Sequence, residues 1–346
     1  MFAWTGFPSE TMEAAVEDER MATLTIPQAR KLLRSRLQLL DAGVTDRQMR
    51  ASVESGALKR VRRGWYVRTS DWKKLWNEGK HLVEVLAAHL NATPPGPVFW
   101  GVSAAVLHGL PLYQTVPNEV HAVIDGCRHS RLRAGIRWHD AHVPERDVTM
   151  IDGVRCTSRD RTVLDVTATV SAEAAVAVAD AALRVVAVSD GRTMDAAITA
   201  EWRGELAGRT KSATTRGIRQ TRWVIEFADG RAQLPGESVS RLQLRRLGFM
   251  AIELQTRVVG PDSEDYWLDF AFPGSLSFGE FDGLGKYTDP ELMGGRTIEE
   301  IVLAEKRRED AVRGVTGWRL GRWESAHIAT PQLLGRRLGA FGIRPP

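Results

Sequence analysis

The stretch "LDFAFPGSLSFGEFDG" places three carboxylates, Asp269, Glu280 and Asp282, on two short apolar segments joined by a Pro-Gly turn. Successive strand residues face opposite sides, so Glu280 and Asp282 share one side and Phe281 takes the other. Asp269 lies across from them if the hairpin pairs through "PGSLS". Three negative charges this close repel by several kcal/mol in a partly buried setting, and a divalent cation is the usual remedy. Oxygen-only ligands favour Mg²⁺ or Mn²⁺ over zinc. Such an ion polarises a phosphodiester and lowers the pKa of an attacking water. The plain alternative is a solvated hairpin whose acids keep an edge strand soluble. Phe270, Phe272 and Phe281 beside the acids argue against full exposure.

A second group of chemistry-bearing residues lies near the front of the chain. Between Met21 and Lys80 there are fourteen Lys and Arg against five Asp and Glu, whereas from Glu237 onward the two signs nearly cancel. A basic front module attached to a balanced rear one implies nucleic acid gripped at the front, so double-stranded DNA is the expected partner. Within "GVTDRQMRASVESGALKRVRRGWYV", Thr45 is an N-cap, Met49 and Val53 form an apolar stripe, and Gly56 stops the helix. Arg47 and Arg50 occupy its exposed side. Two short strands then flank Arg63-Gly64. A helix, a second helix and a basic hairpin make a winged helix-turn-helix. The second helix is expected in the major groove, and Lys59, Arg60, Arg62 and Arg63 near phosphates.

The remaining elements frame these two groups. "NATPPGP" ends a helix near Leu90, and "VFWGVSAAVLHGLPLY" predicts another from Ser103 to Gly109. Two strand-like segments and two Ala/Val-rich helices complete a mixed α/β middle. "LPGESVSRLQLRRLGF" predicts a helix from Pro235 to the stop at Gly248, with Glu237 in its first turn, where the dipole favours its charge. Three strands, a helix over "TIEEIVLAEKRREDAVRG" and a last strand follow. The expected organisation is a flexible tail (1–22), the winged helix (23–70), the middle domain (71–206), a basic linker (207–222) and an α/β core (223–346). The arginines of 207–222 also allow a helix lying across a phosphate backbone.

Residues Leu24 to Val67 resemble the winged-helix module of AbiEi-type antitoxins of type IV toxin-antitoxin systems, with the pattern "GV(T/S)xRxxRxxVxxGxLxRxRRGxY". "SAAVLHGLP" extends that resemblance into the middle. It implies duplex DNA binding at an operator, and a cognate toxin or other protein as a further partner. The segment Glu237 to Trp323 resembles the PD-(D/E)XK nuclease fold, and within it the very short patch repair endonuclease-like group found at the ends of many actinobacterial proteins. The residues that carry this resemblance are Glu237, Asp269 in "LDFAFP", the "GEFDG" strand, Tyr287 and "EKRRED". It implies that Asp269 and Glu280 hold the metal, with Asp282 or Glu237 completing its shell, and that a cation stabilises the transition-state phosphate. The usual lysine is replaced by Asp282, which leaves Lys286, or Lys306 and Arg308, to supply that charge. Metal-dependent DNA cleavage in defence or DNA processing is one expectation. An antitoxin-type regulator with an inactive nuclease fold is the other.

Composition sets the outer limits. The chain has 346 residues, 43% of them hydrophobic and 26% charged, which suits a multidomain globular protein. Its longest apolar run, "EAAVAVADAALRVVAV", is broken by Asp180 and Arg184 at helical spacing, so no membrane span is expected. The acidic start "ETMEAAVEDER" is unlike a secretory signal, and a cytoplasmic location is expected. Cys127 and Cys156 stand apart without metal-ligand spacing and read as buried free thiols. His108, His121, His139 and His142 fit no ligand motif. His108 reads as a helix-end histidine bonded to backbone, and Asp160 and Asp165 as a helix start and surface pairs.

Overall fold

The computed structural model describes residues 24–124, 131–133, 135–283 and 298–346. The expected tail, Cys127, Lys286 and Tyr287 lie outside them. Among the described residues the chain is mixed α/β, with thirteen helices and three sheets, and divides into two compact units.

The first unit holds residues 24–170 with Thr214–Thr221. It opens with α1 (Ile26–Leu32), β1 (Arg34–Ser35), α2 (Arg36–Asp41), α3 (Asp46–Glu54), β2 (Leu58–Arg62) and β3 (Trp65–Arg68). Thr25, Ser35 and Thr45 each cap the following helix reciprocally with the glutamine three residues on, so three short helices start where the sequence dictates. The strands form a sheet in the order β1-β3-β2, and the β2–β3 turn runs through Gly64 at φ +79°, a conformation that favours glycine. Next come α4 (Thr69–Lys73), α5 (Asn77–Leu90), β4 (Val98–Phe99), α6 (Val102–Leu107), β5 (Val120–Ile124), β6 (Arg131–Arg133), β7 (Ile136–Asp140), β8 (Val148–Ile151), β9 (Val154–Thr157) and α7 (Arg159–Thr167). Their strands form a six-stranded mixed sheet, β6-β7-β5-β4-β9-β8.

The second unit holds Ser171–Ala213 and Arg222–Pro346. It contains α8 (Ala172–Ala187), α9 (Ala196–Thr210), most of α10 (Ile218–Phe227), α11 (Pro235–Leu247), β10 (Glu253–Val259), β11 (Asp265–Phe272), β12 (Ser277–Asp282), α12 (Ile298–Thr316), β13 (Arg319–Glu324) and α13 (Pro331–Ala340). The β10-β11-β12 meander is antiparallel, and β13 returns through α12 to lie parallel to β12.

The second unit begins at Ser171, ahead of α8, on which Asp180 is fully buried. Both its oxygens accept from Arg241 Nη2 of α11 at 2.9 and 3.0 Å, and Oδ1 also accepts from the backbone N–H of Asp229 at 2.8 Å. A buried carboxylate needs such partners, and they lie in the C-terminal unit. Residues 207–222 contain the end of α9 and the start of α10, and Arg222 Nη2 donates to the carbonyls of Thr210, Lys211 and Ala213. No helix of the described residues is long and apolar enough to cross a membrane.

Candidate functional site

In the second unit α11, β10, β11, β12 and α12 bring the expected acids to one region. Alternation holds along β12. Phe281 turns to α11, where a Cβ on Gly236 would sit 2.2 Å from its ring, while Glu280 turns to α12. Along β11 alternation fails at Asp269. Leu268 packs with Val312 of α12, whereas Phe270 meets Trp323, whose Nε1 donates to Ser240 of α11. Opposite this break, between the pairs Leu254–Phe270 and Thr256–Leu268, stands Gln255 at φ +51°. A non-glycine residue held in that region costs about 1–3 kcal/mol and persists where its surroundings over-determine it.

Gln255 is the connecting residue that sequence reasoning missed. Its Nε2 makes long contacts to Glu237 Oε2 (3.4 Å) and Asp269 Oδ1 (3.5 Å), and its Oε1 accepts from Gln233. Glu237, 3% exposed, also accepts from the backbone N–H of Gln233 at 2.9 Å. Asp269 Oδ2 accepts from the backbone N–H of Phe281 at 2.9 Å.

Glu280 is 2% exposed and is met by two guanidinium groups. Arg308 Nη2 lies 2.5 Å from its Oε1, and Arg322 Nη2 lies 3.0 Å from its Oε2 without hydrogen-bond geometry. Burial pushes the Glu280 carboxyl above the usual carboxylate range, and the two arginines oppose that shift. Arg308 also donates to Glu305 and to the Trp267 carbonyl, and Arg322 to Glu305 at 2.5 Å. Lys306 is exposed, so the cation from α12 that reaches the acids is Arg308. Asp282 is half-buried, and its charge acts on Arg322. These contacts set guanidinium and backbone donors against the acids, with Glu280 Oε2 left without a hydrogen bond. Charge at Glu280 is balanced by guanidinium, Asp269 is engaged by backbone, and no group of three His, Cys, Asp or Glu among the described residues can hold a metal. As arranged, Asp269, Glu280 and Asp282 do not fit a divalent cation.

In the first unit, α3 presents Arg47 and Arg50 to solvent while Met49 is buried beneath them. Arg36 on α2 grips Asp46 with two contacts of 2.8 and 2.5 Å, and that pairing holds the Asp46 carboxyl below its ordinary range. On the hairpin, Arg60 and Arg63 are exposed, and Lys59 Nζ sits 4.8 Å over the Trp72 ring. Arg62 is the exception to the expected phosphate-facing row. The β2–β3 register shifts between Arg60 and Arg62, and Arg62 turns inward to donate to the carbonyls of Glu84 (3.2 Å) and Gly135 (2.9 Å). Asn91 fastens the turn as well, donating to the Arg63 carbonyl and accepting from Trp65 Nε1, both at 3.0 Å.

The histidines of the same unit divide as well. His108 bonds the Thr157 carbonyl at 2.8 Å, as a helix-end histidine should. His121 and His139 share a 2.9 Å hydrogen bond and stack, a meeting created by the parallel pairing of β5 with β7 and invisible in their spacing. Burial, with His139 as the second cause, lowers His121 to about 4. Asp165 is not a surface acid. Burial raises it to about 6 although Arg161 Nε contacts both its oxygens. Cys156 is a buried thiol pushed up to about 12.

No family model matches the chain. It is 30% identical over 219 residues to the uncharacterized protein MT2308 of Mycobacterium tuberculosis (strain CDC 1551 / Oshkosh), a match covering 60% of this chain and 74% of the relative. The uncharacterized protein Rv2248 of M. tuberculosis (strain ATCC 25618 / H37Rv) matches with the same identity and coverage. On that identity and coverage the chain belongs to the family of these two mycobacterial proteins.

Proposed function

We propose that the protein binds duplex DNA through residues 24–68 and acts as an antitoxin-type regulator, with a C-terminal core of the PD-(D/E)XK type that serves binding. The observation that carries this reading is the joint exposure of Arg47 and Arg50 on a capped helix and of Arg60 and Arg63 on the adjoining hairpin. The element order α1-β1-α2-α3-β2-β3 and the sheet order β1-β3-β2 suit a winged helix, with α3 entering the major groove and the hairpin beside a phosphate strand. In the second unit the order α11-β10-β11-β12-α12-β13, with β13 parallel to β12, suits the nuclease-type core.

The test is the affinity for duplex DNA measured across salt concentrations. Arg47→Ala with Arg50→Ala is expected to weaken binding about tenfold or more and to lower the salt slope by about one per lost phosphate contact. An unchanged slope sinks the proposal.

A second reading, metal-dependent phosphodiester hydrolysis, is favoured by Glu237 and Glu280 being buried around a strained Gln255. Plasmid nicking in Mg²⁺ or Mn²⁺ that Glu280→Ala abolishes establishes that reading in place of the non-catalytic core.

A further inference from the structure

Carboxylates and guanidinium groups beside β12 form one ion-pair network. Glu280, Glu305 and Glu309 are matched by Arg308, Arg322 and Arg313. Arg308 contacts Glu280 and Glu305. Arg322 contacts Glu280 and Glu305 and lies 3.8 Å from Glu309, and Arg313 meets Glu309 at 2.7 Å. Three guanidinium groups thus stand against these three carboxylates, with Asp269 and Asp282 acting on the same groups. The Glu280 side chain is 3% exposed, and a carboxylate this buried is stable as an ion only with charge held against it.

We infer that Arg308 and Arg322 are a built-in substitute for a divalent cation at Glu280, and that they keep this position closed to metal. The inference rests on the reading of the core as non-catalytic. Its chemistry follows from guanidinium. Arginine stays protonated at any pH the protein meets, so the charge cannot leave by deprotonation as a lysine's can. Arg308 is further held by the Trp267 carbonyl, and the Arg322 backbone carbonyl accepts from Arg337 Nε at 2.7 Å. A metal entering at Glu280 must displace a group with several other attachments. Removing one guanidinium leaves buried negative charge beside Asp269, whose charge already acts on Glu280, and creates the oxygen-lined, anionic setting that Mg²⁺ and Mn²⁺ select.

The experiment is a Mn²⁺ titration of the full chain, followed by loss of the free-ion electron paramagnetic resonance signal, with circular dichroism as the check on folding. Wild type and Arg308→Lys, which retains a cation, are expected to show no saturable site. Arg308→Met is expected to gain one Mn²⁺ per chain at least about tenfold tighter than wild type, and adding Glu280→Gln to remove it. The inference is overturned if wild type binds one Mn²⁺ as tightly as Arg308→Met does, or if a folded Arg308→Met gains no site. Should Arg308→Met fail to fold, Arg322→Met is read by the same two criteria. Nicking reports on hydrolysis and Mn²⁺ binding on the arginine pair, so loss of one idea leaves the other legible.

Discussion

Arginine does opposite work on the basic face of residues 36–63 and in the C-terminal core. On α3 and the β2–β3 hairpin it faces water, at Arg47, Arg50, Arg60 and Arg63, with Arg50 reaching the Asp46 carbonyl at 3.4 Å. In the C-terminal unit it is consumed inside, where Arg308 and Arg322 neutralise Glu280 and Arg241 neutralises Asp180. A count of basic residues treats these as equal, yet only the first set can release counterions from a nucleic acid. The second set is structural, because each of its members offsets a carboxylate that could not otherwise be buried.

The contrast is broken most forcefully at Arg241. Its ion pair with Asp180 has side chains 8% and 1% exposed, and the guanidinium also donates to the Phe227 carbonyl. Arg241→Ala is expected to cost about 3–5 kcal/mol, because Asp180 is left as an uncompensated buried charge. The measurement is the urea midpoint. A loss within the surface range would place Asp180 in water and dissolve the distinction between the two arginine sets.

The first unit supplies the next largest effect, through its histidines. His121 is held below its usual 6.5, at about 4, by burial and by His139, with His81 and Arg137 acting the same way and Glu119 opposing. The folded form therefore binds fewer protons than the unfolded one. The stabilisation is full above about 6.5 and is lost as pH falls toward 4, a contribution of roughly 2–3 kcal/mol. His121→Asn should flatten the pH dependence of stability in that window, as read from denaturation at pH 7.5, 5.5 and 4.5. An unaltered curve would assign the acid sensitivity to other groups.

What could be read from the sequence follows the range of the interactions involved. Thr45 and Gly56 fixed α3 because capping is local, and the Pro-Gly turn placed β11 opposite β12 for the same reason. Glu237, Asp269 and Glu280 were found as types in strand and helix positions. Of the groups around them Arg308 was named, but Gln255 and Arg322 were not, since Gln255 is placed by a left-handed backbone and Arg322 by the parallel pairing of β13 with β12. The arginines that meet Glu280 lie on α12 and β13, outside the hairpin from which the metal expectation was read. The partners of buried Asp180 likewise lie far along the chain, where no local signal marks them.

The smallest effect sharpens the comparison inside one strand. Arg60 and Arg62 stand two residues apart on β2 and would share a face in a regular strand, but the register shift between them separates their roles. Arg60 is exposed, so Arg60→Ala should change stability by no more than about 0.5 kcal/mol while weakening DNA binding and lowering its salt slope. Arg62 donates to two carbonyls contributed by α5 and by the segment before β7, so Arg62→Ala should cost about 1–3 kcal/mol of stability and leave the salt slope unchanged. Measuring both variants by thermal melt and by salt-dependent binding separates the two axes. If Arg62→Ala lowers the slope as Arg60→Ala does, the inward turn of Arg62 gives way on DNA, and the hairpin engages phosphates with both cations after all.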